Sequence, residues 1–512
     1  MEHKNAIEFR NVSKRFGEVV ANDRINLTLR QGEILSILGE NGSGKTTLMN
    51  MLSGIYFPDE GHILVNGEEV TIRSPKDAFA LKIGMIHQHF KLIPVLTAAE
   101  NIILGLEGKG RLNMKEVESN VKQLVDKYGF QLDPAEKIYS MSVSQKQTVE
   151  IIKVLYRGAD ILILDEPTAV LTPQETERLF DVLRNMREDG KSIIIITHKL
   201  NEVLEISDRV AILRKGKYIG TVDTAKATVS NLTEMMVGQK ISLDIRRTEP
   251  VNLKDRLIVE NVSCVNAEGT TVLNNVSFTL QSGEILGIAG ISGNGQKELL
   301  ESIAGLQEHE GNIFYIDDEG ERKDLRGMTP LQIETLGVRL AFVPEDRLGM
   351  GLVGSMDLTD NVMLRSYRQG NSFMTDRKTP KAQAEEIVRD LEVVTPSVDT
   401  PIGRLSGGNV QKVLVGREIA GEPRVMMAAY PVRGLDINSS YLIYNLLSAQ
   451  KEHGAAVICV GEDLDVLLAL CDRILVLQGG RVSGIVEARY ASKEELGLMM
   501  TGTAGKETKD AE

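Results

Sequence analysis

The sequence contains no run of about 18 consecutive apolar residues, and this absence argues against a membrane-spanning helix. Its start, residues 1–5, also lacks the apolar stretch of a secretory signal. We therefore expect a protein that is made and kept in the cytoplasm. The cysteines Cys264, Cys459 and Cys471 are far apart and form no C-x-x-C pair, so neither a disulfide framework nor a zinc site is expected.

An excess of positive charge is absent as well. The chain has 59 lysines and arginines against 72 aspartates and glutamates, which gives a net charge of −13. This balance argues against a nucleic-acid-binding protein that relies on broad phosphate contact. We expect no nucleic acid among its partners.

A glycine-rich segment over residues 39–46 has the pattern G-x-x-x-x-G-K-T. It follows an apolar run that is typical of a buried strand, and it precedes residues 47–52, which are typical of a helix. Glycines let backbone N–H groups turn toward phosphates, and a helix N-terminus favours the same negative charge. In this setting we expect Lys45 to neutralise phosphate charge and Thr46 to place its hydroxyl on Mg²⁺. A chance glycine-rich turn is the alternative.

Polar side chains follow three further apolar strands. Gln88 ends one of them, where it could reach Mg²⁺ and an attacking water. Asp165 and Glu166 end the next, and ligands bind at this end of the strands in open α/β sheets. Asp165 suits a water-mediated contact to Mg²⁺, and Glu166 suits orientation or deprotonation of the water, although a helix-capping pair is the simpler alternative. His198 follows the third strand and is expected to bond the γ-phosphate, although such a histidine alone is more often structural.

Phe16 lies ahead of the glycine-rich segment in a Lys-Arg-Phe-Gly stretch. It either stacks on an adenine ring or belongs to the hydrophobic core. The sequence favours neither interpretation.

The chain contains two copies of this pattern. The strand before Gly39 and the loop that begins at Gly39 recur before and at Gly290, an offset of 251 (290 − 39), and residues 208–210 recur as 472–474. A period this long indicates two similar domains. We expect domain 1 over residues 5–240, a short linker over 241–256, domain 2 over 257–502 and a disordered tail over 503–512.

The order of these motifs, with a helical insert over residues 90–157, resembles an ABC-type ATPase domain. The resemblance implies an α/β fold with two tandem P-loop NTPase domains, each with a RecA-like core, an antiparallel β subdomain and a helical subdomain. It also implies ATP and Mg²⁺ as cofactors and ATP hydrolysis as the activity. The implied catalytic residues are Lys45, Gln88, Glu166 and His198; the metal ligands are Thr46, Gln88 and Asp165; and the ATP contacts are Phe16, Gly39, Glu40, Asn41, Gly42, Ser43, Gly44, Lys45, Thr46 and Thr47.

The second copy has lost most of these groups. Gln296 replaces the lysine of the phosphate loop and Lys297 replaces the hydroxyl residue. At the later positions the second copy has Glu345 for Gln88, Ala429 and Tyr430 for the carboxylate pair, and Glu462 for His198. Loss of the lysine removes a charge-assisted contact to phosphate. Whether the second site still binds a nucleotide is left open by the sequence.

The family also has a Leu-Ser-Gly-Gly-Gln motif that serves the ATP of the partner domain. Copy one reads Met-Ser-Val-Ser-Gln at residues 141–145, where a Cβ at Val143 and Ser144 should hinder the approach of backbone to phosphate. Copy two keeps both glycines and the aspartate of a following Gly-Leu-Asp motif. Since the losses are complementary, head-to-tail pairing within one chain predicts one complete site. The ATP contacts that copy two contributes are Ser406, Gly407, Gly408, Asn409 and Asp436.

The whole pattern, from residue 5 to residue 502, resembles the fused ATP-binding subunits of bacterial importers for nucleosides and monosaccharides. Val-Pro-Glu-Asp-Arg at residues 343–347 is typical of that group, and residues 87–96 are closer to the nucleoside branch than to the ribose or galactose branch. The resemblance implies a peripheral location on the cytoplasmic face of the membrane. It implies two permease subunits as partners, contacted by the segments after Gln88 and Glu345, and through them an extracytoplasmic solute-binding protein. The alternatives are the same role for a simple sugar and, more remotely, a soluble tandem ABC ATPase that acts on ribosomes.

Overall fold

The structure is a computed structural model that describes residues 4–87, 90–106, 113–169, 171–239, 245–251, 253–266, 269–291, 293–335, 340–344, 346–367, 376–433 and 435–502. The chain divides into two units, Met1–Ser242 and Leu243–Glu512. Within the described ranges, no helix has the length and hydrophobicity that crossing a lipid bilayer requires.

The first unit contains two β-sheets and several α-helices. Its strands are β1 (Asn5–Phe16), β2 (Val19–Arg30), β3 (Ile34–Leu38), β4 (Glu60–Val65), β5 (Glu68–Val70), β6 (Ile83–Ile86), β7 (Ile161–Asp165), β8 (Ser192–Ile196), β9 (Arg209–Arg214) and β10 (Lys217–Asp223). Its helices are α1 (Lys45–Leu52), α2 (Pro75–Ala80), α3 (Ala98–Ile103), α4 (Met114–Tyr128), α5 (Val143–Tyr156), α6 (Pro173–Glu188), α7 (Leu200–Ile206) and α8 (Val229–Val237).

The larger sheet of the first unit has the strand order β10-β9-β3-β8-β7-β6. Strands β9, β3, β8, β7 and β6 run parallel, and β10 is antiparallel to β9. Central strands of a parallel sheet are covered on both faces, which is why β3 and β8 consist of buried and mostly apolar residues. Parallel order places the carboxyl ends of β3, β7 and β8 at one edge, and this is where the predicted site residues follow.

A second, antiparallel sheet of this unit has the order β2-β1-β4-β5. The segment between β6 and β7 contains the helices α3, α4 and α5, which pack on one another through buried apolar residues. Along α4, Val117, Val121 and Val125 recur at helical spacing and are buried. The helical insert and the antiparallel sheet therefore agree with the subdomains that the sequence predicts.

The second unit repeats this arrangement. Its strands are β11 (Asp255–Val265), β12 (Thr271–Gln281), β13 (Ile285–Gly290), β14 (Glu310–Ile316), β15 (Arg322–Asp324), β16 (Leu340–Val343), β17 (Val425–Ala429), β18 (Ala456–Val460), β19 (Arg473–Gln478) and β20 (Arg481–Glu487). Its helices are α9 (Gln296–Ile303), α10 (Pro330–Thr335), α11 (Leu358–Met363), α12 (Lys378–Asp390), α13 (Gly407–Ala420), α14 (Ile437–Glu452), α15 (Leu464–Leu470) and α16 (Lys493–Thr501). The sheet orders β12-β11-β14-β15 and β16-β17-β18-β13-β19-β20 match those of the first unit strand for strand. The predicted α/β fold with two similar domains is confirmed.

One ion pair, with a buried glutamate, is common to both units. In the first, Arg209 at the start of β9 pairs with Glu33, which precedes β3, with Nη2 2.9 Å from Oε2. In the second, Arg473 pairs with Glu284, with Nη2 2.6 Å from Oε1. Each pair ties the strand before the phosphate loop to its neighbour, so the frame around the loop is the same in both copies.

Residues 245–251, within the predicted linker, pack on the second unit. The Arg247 guanidinium donates to the carbonyl of Leu468 at 3.1 Å, and the Lys451 ammonium donates to the carbonyl of Thr248. Glu249 also pairs with Arg489. These residues are therefore part of the second unit rather than a free connection, which polar composition alone does not reveal.

Candidate functional site

The turn between β3 and α1 has the geometry that the glycine-rich pattern predicts. Gly42 and Gly44 have φ angles of 78° and 96°, in the left-handed region that favours glycine. A Cβ at Gly44 would lie 2.3 Å from the carbonyl oxygen of Ala21, so a larger residue does not fit there. The first N–H groups of α1 have no acceptor within the helix, and the turn is thus suited to bind an anion.

The ammonium of Lys45, the first residue of α1, lies over this turn. It donates to the carbonyl oxygens of Gly39 at 2.6 Å and Glu40 at 2.9 Å. Burial lowers the pKa of Lys45, and the carboxylates of Glu166 and Asp165 offset part of that effect. A buried cation held at the rim of the turn is well placed to receive phosphate oxygens.

The other predicted contacts of this turn differ in exposure. Asn41 and Thr46 are exposed, and Thr47 is half-buried. Ser43 is buried, and its hydroxyl finds no hydrogen-bond partner among the described residues. Burial of a hydroxyl without a partner is unfavourable, so this group marks a place where a ligand oxygen fits.

Thr46 and Asp165 meet at the edge of the sheet. The Thr46 hydroxyl donates to Oδ2 of Asp165 at 3.3 Å. Burial raises the pKa of Asp165, and the neighbouring charge of Glu166 adds to the effect. A hydroxyl and a carboxylate are oxygen donors that fit Mg²⁺, which proteins commonly hold through one or two carboxylates together with substrate phosphates. Gln88, the third predicted ligand, lies outside the described residues.

Glu166 leaves β7 in a left-handed conformation with φ 49°, which is uncommon for a residue with a Cβ. Its N–H donates to the carbonyl of Ile196 at 2.8 Å, which fixes the turn against β8. Nδ1 of His198 lies 3.0 Å from Oε1 of Glu166, and this contact lowers the pKa of Glu166. The carboxylate is thereby kept ionised, which is the form that a general base requires.

Phe16 lies at the surface, so the core interpretation is wrong. Its side chain is 43% exposed at the end of β1. The ring packs edge-on against Tyr56, with 5.1 Å between the ring centroids, and the Lys14 ammonium lies 5.6 Å from the Phe16 centroid. An exposed ring leaves the adenine-stacking prediction as the interpretation that remains.

The phosphate loop of the second unit has the same backbone conformation as that of the first, but a different side chain contacts it. Gly293 and Gly295 have φ angles of 89° and 98°, as in the first unit. The amide of Gln296 takes the place of the Lys45 ammonium: it is buried and donates to the carbonyl of Ile291 at 3.1 Å. Lys297 instead faces Glu301, 3.7 Å away on the same helix. The turn therefore persists without a buried cation at its rim.

The end of β17 shows the same combination of retained backbone and altered chemistry. Tyr430 has φ 49°, and its N–H donates to the carbonyl of Val460 at 2.9 Å, as Glu166 does in the first unit. Burial, together with the carboxylate of Glu462, raises the pKa of Tyr430 to about 12. A neutral phenol thus occupies the position of the Glu166 carboxylate.

The start of α13 carries the predicted Ser-Gly-Gly segment. Ser406 is the N-cap, and its hydroxyl accepts from the N–H and the side-chain amide of Asn409 at 3.4 and 2.9 Å. Neither Gly407 nor Gly408 has a left-handed backbone, and a Cβ at Gly408 would make an ordinary 3.7 Å contact with Leu435. Within this unit nothing requires glycine at position 408, although glycine in a helix costs about 1 kcal/mol relative to alanine.

The corresponding helix of the first unit, α5, begins in the same way without glycines. Ser142 caps it in a reciprocal arrangement with Gln145. Val143 and Ser144 occupy the next two positions in regular helix. The two copies therefore share the cap and differ in whether side chains cover the first helical turn.

Asp436 has a structural role within its own unit. It is the N-cap of α14, and its carboxylate accepts from the N–H and the hydroxyl of Ser439, both at 2.8 Å. Thr172 caps α6 at the equivalent point of the first unit. A cap is needed in both copies, so the aspartate alone does not indicate a contact to ATP. Gly434, which precedes it, lies outside the described residues.

Sequence reasoning missed three residues that lie next to the first phosphate loop or next to a predicted site residue. The Asn22 amide donates to the carbonyl of Gly44 at 3.2 Å, and Tyr56 packs on Phe16. The Lys199 ammonium donates to the carbonyl of Thr168 at 3.0 Å. Lys199 is detectable as the neighbour of His198, whereas Asn22 on β2 and Tyr56 in the segment after α1 leave no pattern in the sequence.

The ABC transporter family matches residues 22–169 and 273–431 of the chain. The chain belongs to the ABC transporter family and contains its domain twice, which confirms the resemblance drawn from the motifs. Membership in this family implies that the protein binds ATP.

Full-length relatives share this organisation. The chain is 40% identical over 508 residues to "Nucleoside import ATP-binding protein NupA" of Lactococcus lactis subsp. cremoris, across 98% of this chain and 99% of that protein. It is also 40% identical over 537 residues to "Glucose import ATP-binding protein TsgD13" of Haloferax volcanii, across 98% and 96% of the two chains. Both relatives are import ATP-binding proteins by name, one for nucleosides and one for a sugar.

A solved structure covers nearly the whole chain. It is the complex of the archaeal ribosomal stalk protein aP1 with the archaeal ribosome recycling factor aABCE1, which matches 94% of this chain and 90% of that chain with a TM-score of 0.60. The sequences are only 17% identical. This likeness concerns the fold alone.

Proposed function

We propose that the protein is the ATP-hydrolysing subunit of an ABC importer for nucleosides. In this proposal its two ATPase domains are residues 5–240 and 257–502, and residues 245–251 pack on the second domain. The observation that carries it is the cluster of Lys45, Thr46, Asp165, Glu166 and His198 at one edge of the first sheet, with Ser43 and the turn glycines beneath it.

Each residue of this cluster has a role in attack of water on the γ-phosphoryl group. The buried ammonium of Lys45 and the N–H groups of α1 stabilise phosphate charge, and the exposed ring of Phe16 stacks on adenine. Thr46 and Asp165, with Gln88, would hold Mg²⁺, and the ion would supply further positive charge to the phosphates. Glu166, kept ionised by His198, orients or deprotonates the attacking water.

The second unit completes this site in the proposal. Helix α13 begins with Gly407 and Gly408, where α5 of the first unit begins with Val143 and Ser144. Gly408 is not required within its own unit, and its presence is explained if the phosphates of ATP approach it closely. A groove of about 700 Å³, lined in part by Ser406 and Asn409, leaves this helix start open. We therefore assign the ATP contacts Ser406, Gly407, Gly408, Asn409 and Asp436 to the ATP held by the first unit.

The transport role rests on the relatives and on the sequence pattern. Both relatives are named as import ATP-binding proteins. We therefore propose two permease subunits and a solute-binding protein as partners of this chain. We also propose that the chain lies on the cytoplasmic face of the membrane. Residues 87–96 favour nucleosides over simple sugars. A simple sugar is the alternative substrate, because the glucose import relative and the nucleoside import relative are both 40% identical to this chain.

The test is reconstitution of the chain with its permease and solute-binding protein in liposomes. We expect purine or pyrimidine nucleosides to stimulate phosphate release and to accumulate inside, while ribose, galactose and glucose have no effect. Stimulation by a sugar alone would replace the substrate class and leave the importer role in place. Cosedimentation with ribosomes rather than with membranes in cell fractions would contradict the importer role.

A further inference from the structure

Arg347, the last residue of the Val-Pro-Glu-Asp-Arg motif, has no part in the site described so far. It begins a single π-helical turn, Arg347–Gly351, whose N-cap is Asp346. The Asp346 carboxylate accepts from the N–H of Gly349 at 2.8 Å, and the N–H of Leu352 donates to the carbonyl of Arg347 at 2.7 Å. This closed turn fixes the direction in which the Arg347 side chain leaves the backbone.

The guanidinium of Arg347 bridges two segments that are distant in the sequence. One nitrogen, Nη1, donates to the carbonyl of Gly407 at 3.2 Å, and the other, Nη2, donates to the carbonyl of Arg433. Gly407 begins α13, and Arg433 lies in the loop that leads to Asp436. Burial lowers the pKa of Arg347, but an arginine remains charged at neutral pH, so both bonds are charge-assisted.

Absence of a side chain at position 407 makes room for this contact. A Cβ on Gly407 would lie 3.3 Å from Nη1 of Arg347, which is closer than most carbon contacts of this kind. The same glycine thus leaves one side of the helix start open and allows the guanidinium to hold the other side.

The first unit has neither the arginine nor the glycine of this contact. An equivalent hydrogen bond joins Ile93 to Asn101 in one unit and Val353 to Asn361 in the other, both at 2.8 Å, with an offset of 260 (353 − 93). The offset at Glu345 and Gln88 is 257 (345 − 88), so three residues are added between these points, where the Arg347 turn lies. At offset 257 the residue equivalent to Arg347 is Phe90, and Val143 stands where Gly407 does.

We infer that Arg347 is a positioning residue for hydrolysis in the first unit, acting through Gly407 and Arg433. It holds the Ser-Gly-Gly helix start and the loop before Asp436 in one arrangement, two residues after Glu345 in the segment assigned to permease contact. This inference rests on the proposed function, because it needs the ATP of the first unit to be met by α13. The planar guanidinium suits the task because its fork of donors reaches two carbonyls at once.

The test compares Arg347→Ala and Arg347→Lys in the full chain reconstituted with its permease. We expect Arg347→Ala to lower kcat by about 10- to 100-fold, the range that misplacement of a positioning group by about 1 Å produces. The Kd for ADP should stay within about twofold of the wild type, because the phosphate loop of the first unit is untouched. Arg347→Lys should recover part of kcat, since a lysine keeps the charge but lacks the fork. Arg389→Ala, a surface change on α12, is the matched control and should change neither quantity.

A parallel variant, Gly408→Val, separates this inference from the proposed function. If Gly408→Val loses hydrolysis and Arg347→Ala keeps it, Arg347 has no positioning role and the composite site stands. If both variants keep full kcat, the composite site and the inference both fail. A lowered melting temperature of Arg347→Ala with normal kcat would make the contact purely structural and would also overturn the inference.

Discussion

Replacement of Glu166 by glutamine tests the chemistry of the first site most directly. The amide keeps the size of the side chain and can still contact Nδ1 of His198, now 3.0 Å from the carboxylate. The left-handed backbone at φ 49° is a property of the turn and should persist. The change therefore removes the proton acceptor and one negative charge while the shape of the site remains.

The expected loss follows from the role of a general base. Such a group contributes about 10²- to 10⁴-fold to a rate, which corresponds to about 3–5 kcal/mol of transition-state free energy. Removal of the charge beside Asp165 and Lys45 also removes one of the causes that raise the pKa of both groups. Binding of ATP should be retained, because the phosphate loop and the Lys45 ammonium that it holds are not changed by the substitution. The His198 side chain is half exposed, so the loss of the negative charge on Glu166 next to it should change the melting temperature by no more than about 2 °C.

The assay is steady-state phosphate release by the full chain together with equilibrium binding of ATP. Tyr430→Phe is the matched control, because Tyr430 has the same backbone conformation in the second unit, and it should alter turnover by less than about twofold. A Glu166→Gln variant that keeps more than a tenth of the wild-type kcat would refute the assignment of Glu166. Equal losses in the two variants would refute the division of roles between the units.

Three further outcomes are expected. Lys45→Ala should lower ATP turnover at least about 100-fold, whereas Gln296→Ala should change it less than about twofold; equal losses in a phosphate-release assay would contradict the assignment. Phe16→Ala should raise the KM for ATP about 5- to 100-fold, since stacking of a base on an aromatic ring is worth about 1–3 kcal/mol, while Val20→Ala, a similarly exposed strand residue, should not raise it. Asp165→Asn should raise the melting temperature of the ligand-free protein at neutral pH, because a carboxyl whose pKa is raised in the folded state destabilises that state when ionised. The gain should vanish as the pH falls below the ordinary value of 3.8, and a gain that is independent of pH would show another cause.

The sequence predicts the parts of the fold that follow from local patterns. The apolar runs before Lys45, Asp165 and His198 form parallel strands whose carboxyl ends share one edge, so three motifs far apart in the chain meet as expected. The repeat also predicts a second unit with the same strand order. Both results depend on hydrophobic periodicity and on where glycine and polar residues follow a strand.

Other features depend on contacts that have no local signal. The pairing of Phe16 with Tyr56 joins residues 40 positions apart, and its exposure on the surface depends on how β1 meets the segment after α1. The motif around Asp436 predicts a contact to ATP, but the Asp436 carboxylate also caps α14, and the sequence does not distinguish a capping role from a ligand role. The contact of Arg347 with Gly407 depends on a turn created by a three-residue insertion.

The matching left-handed turns after β7 and β17 separate the shape of the site from its reactivity. Glu166 and Tyr430 adopt the same strained conformation although only one of them carries a carboxylate. The left-handed conformation is therefore set by the turn that follows each strand. The side chain at this position can be substituted without a change in the backbone. One domain of a duplicated pair can therefore lose its catalytic side chains by point substitutions and still keep the fold on which the other domain depends.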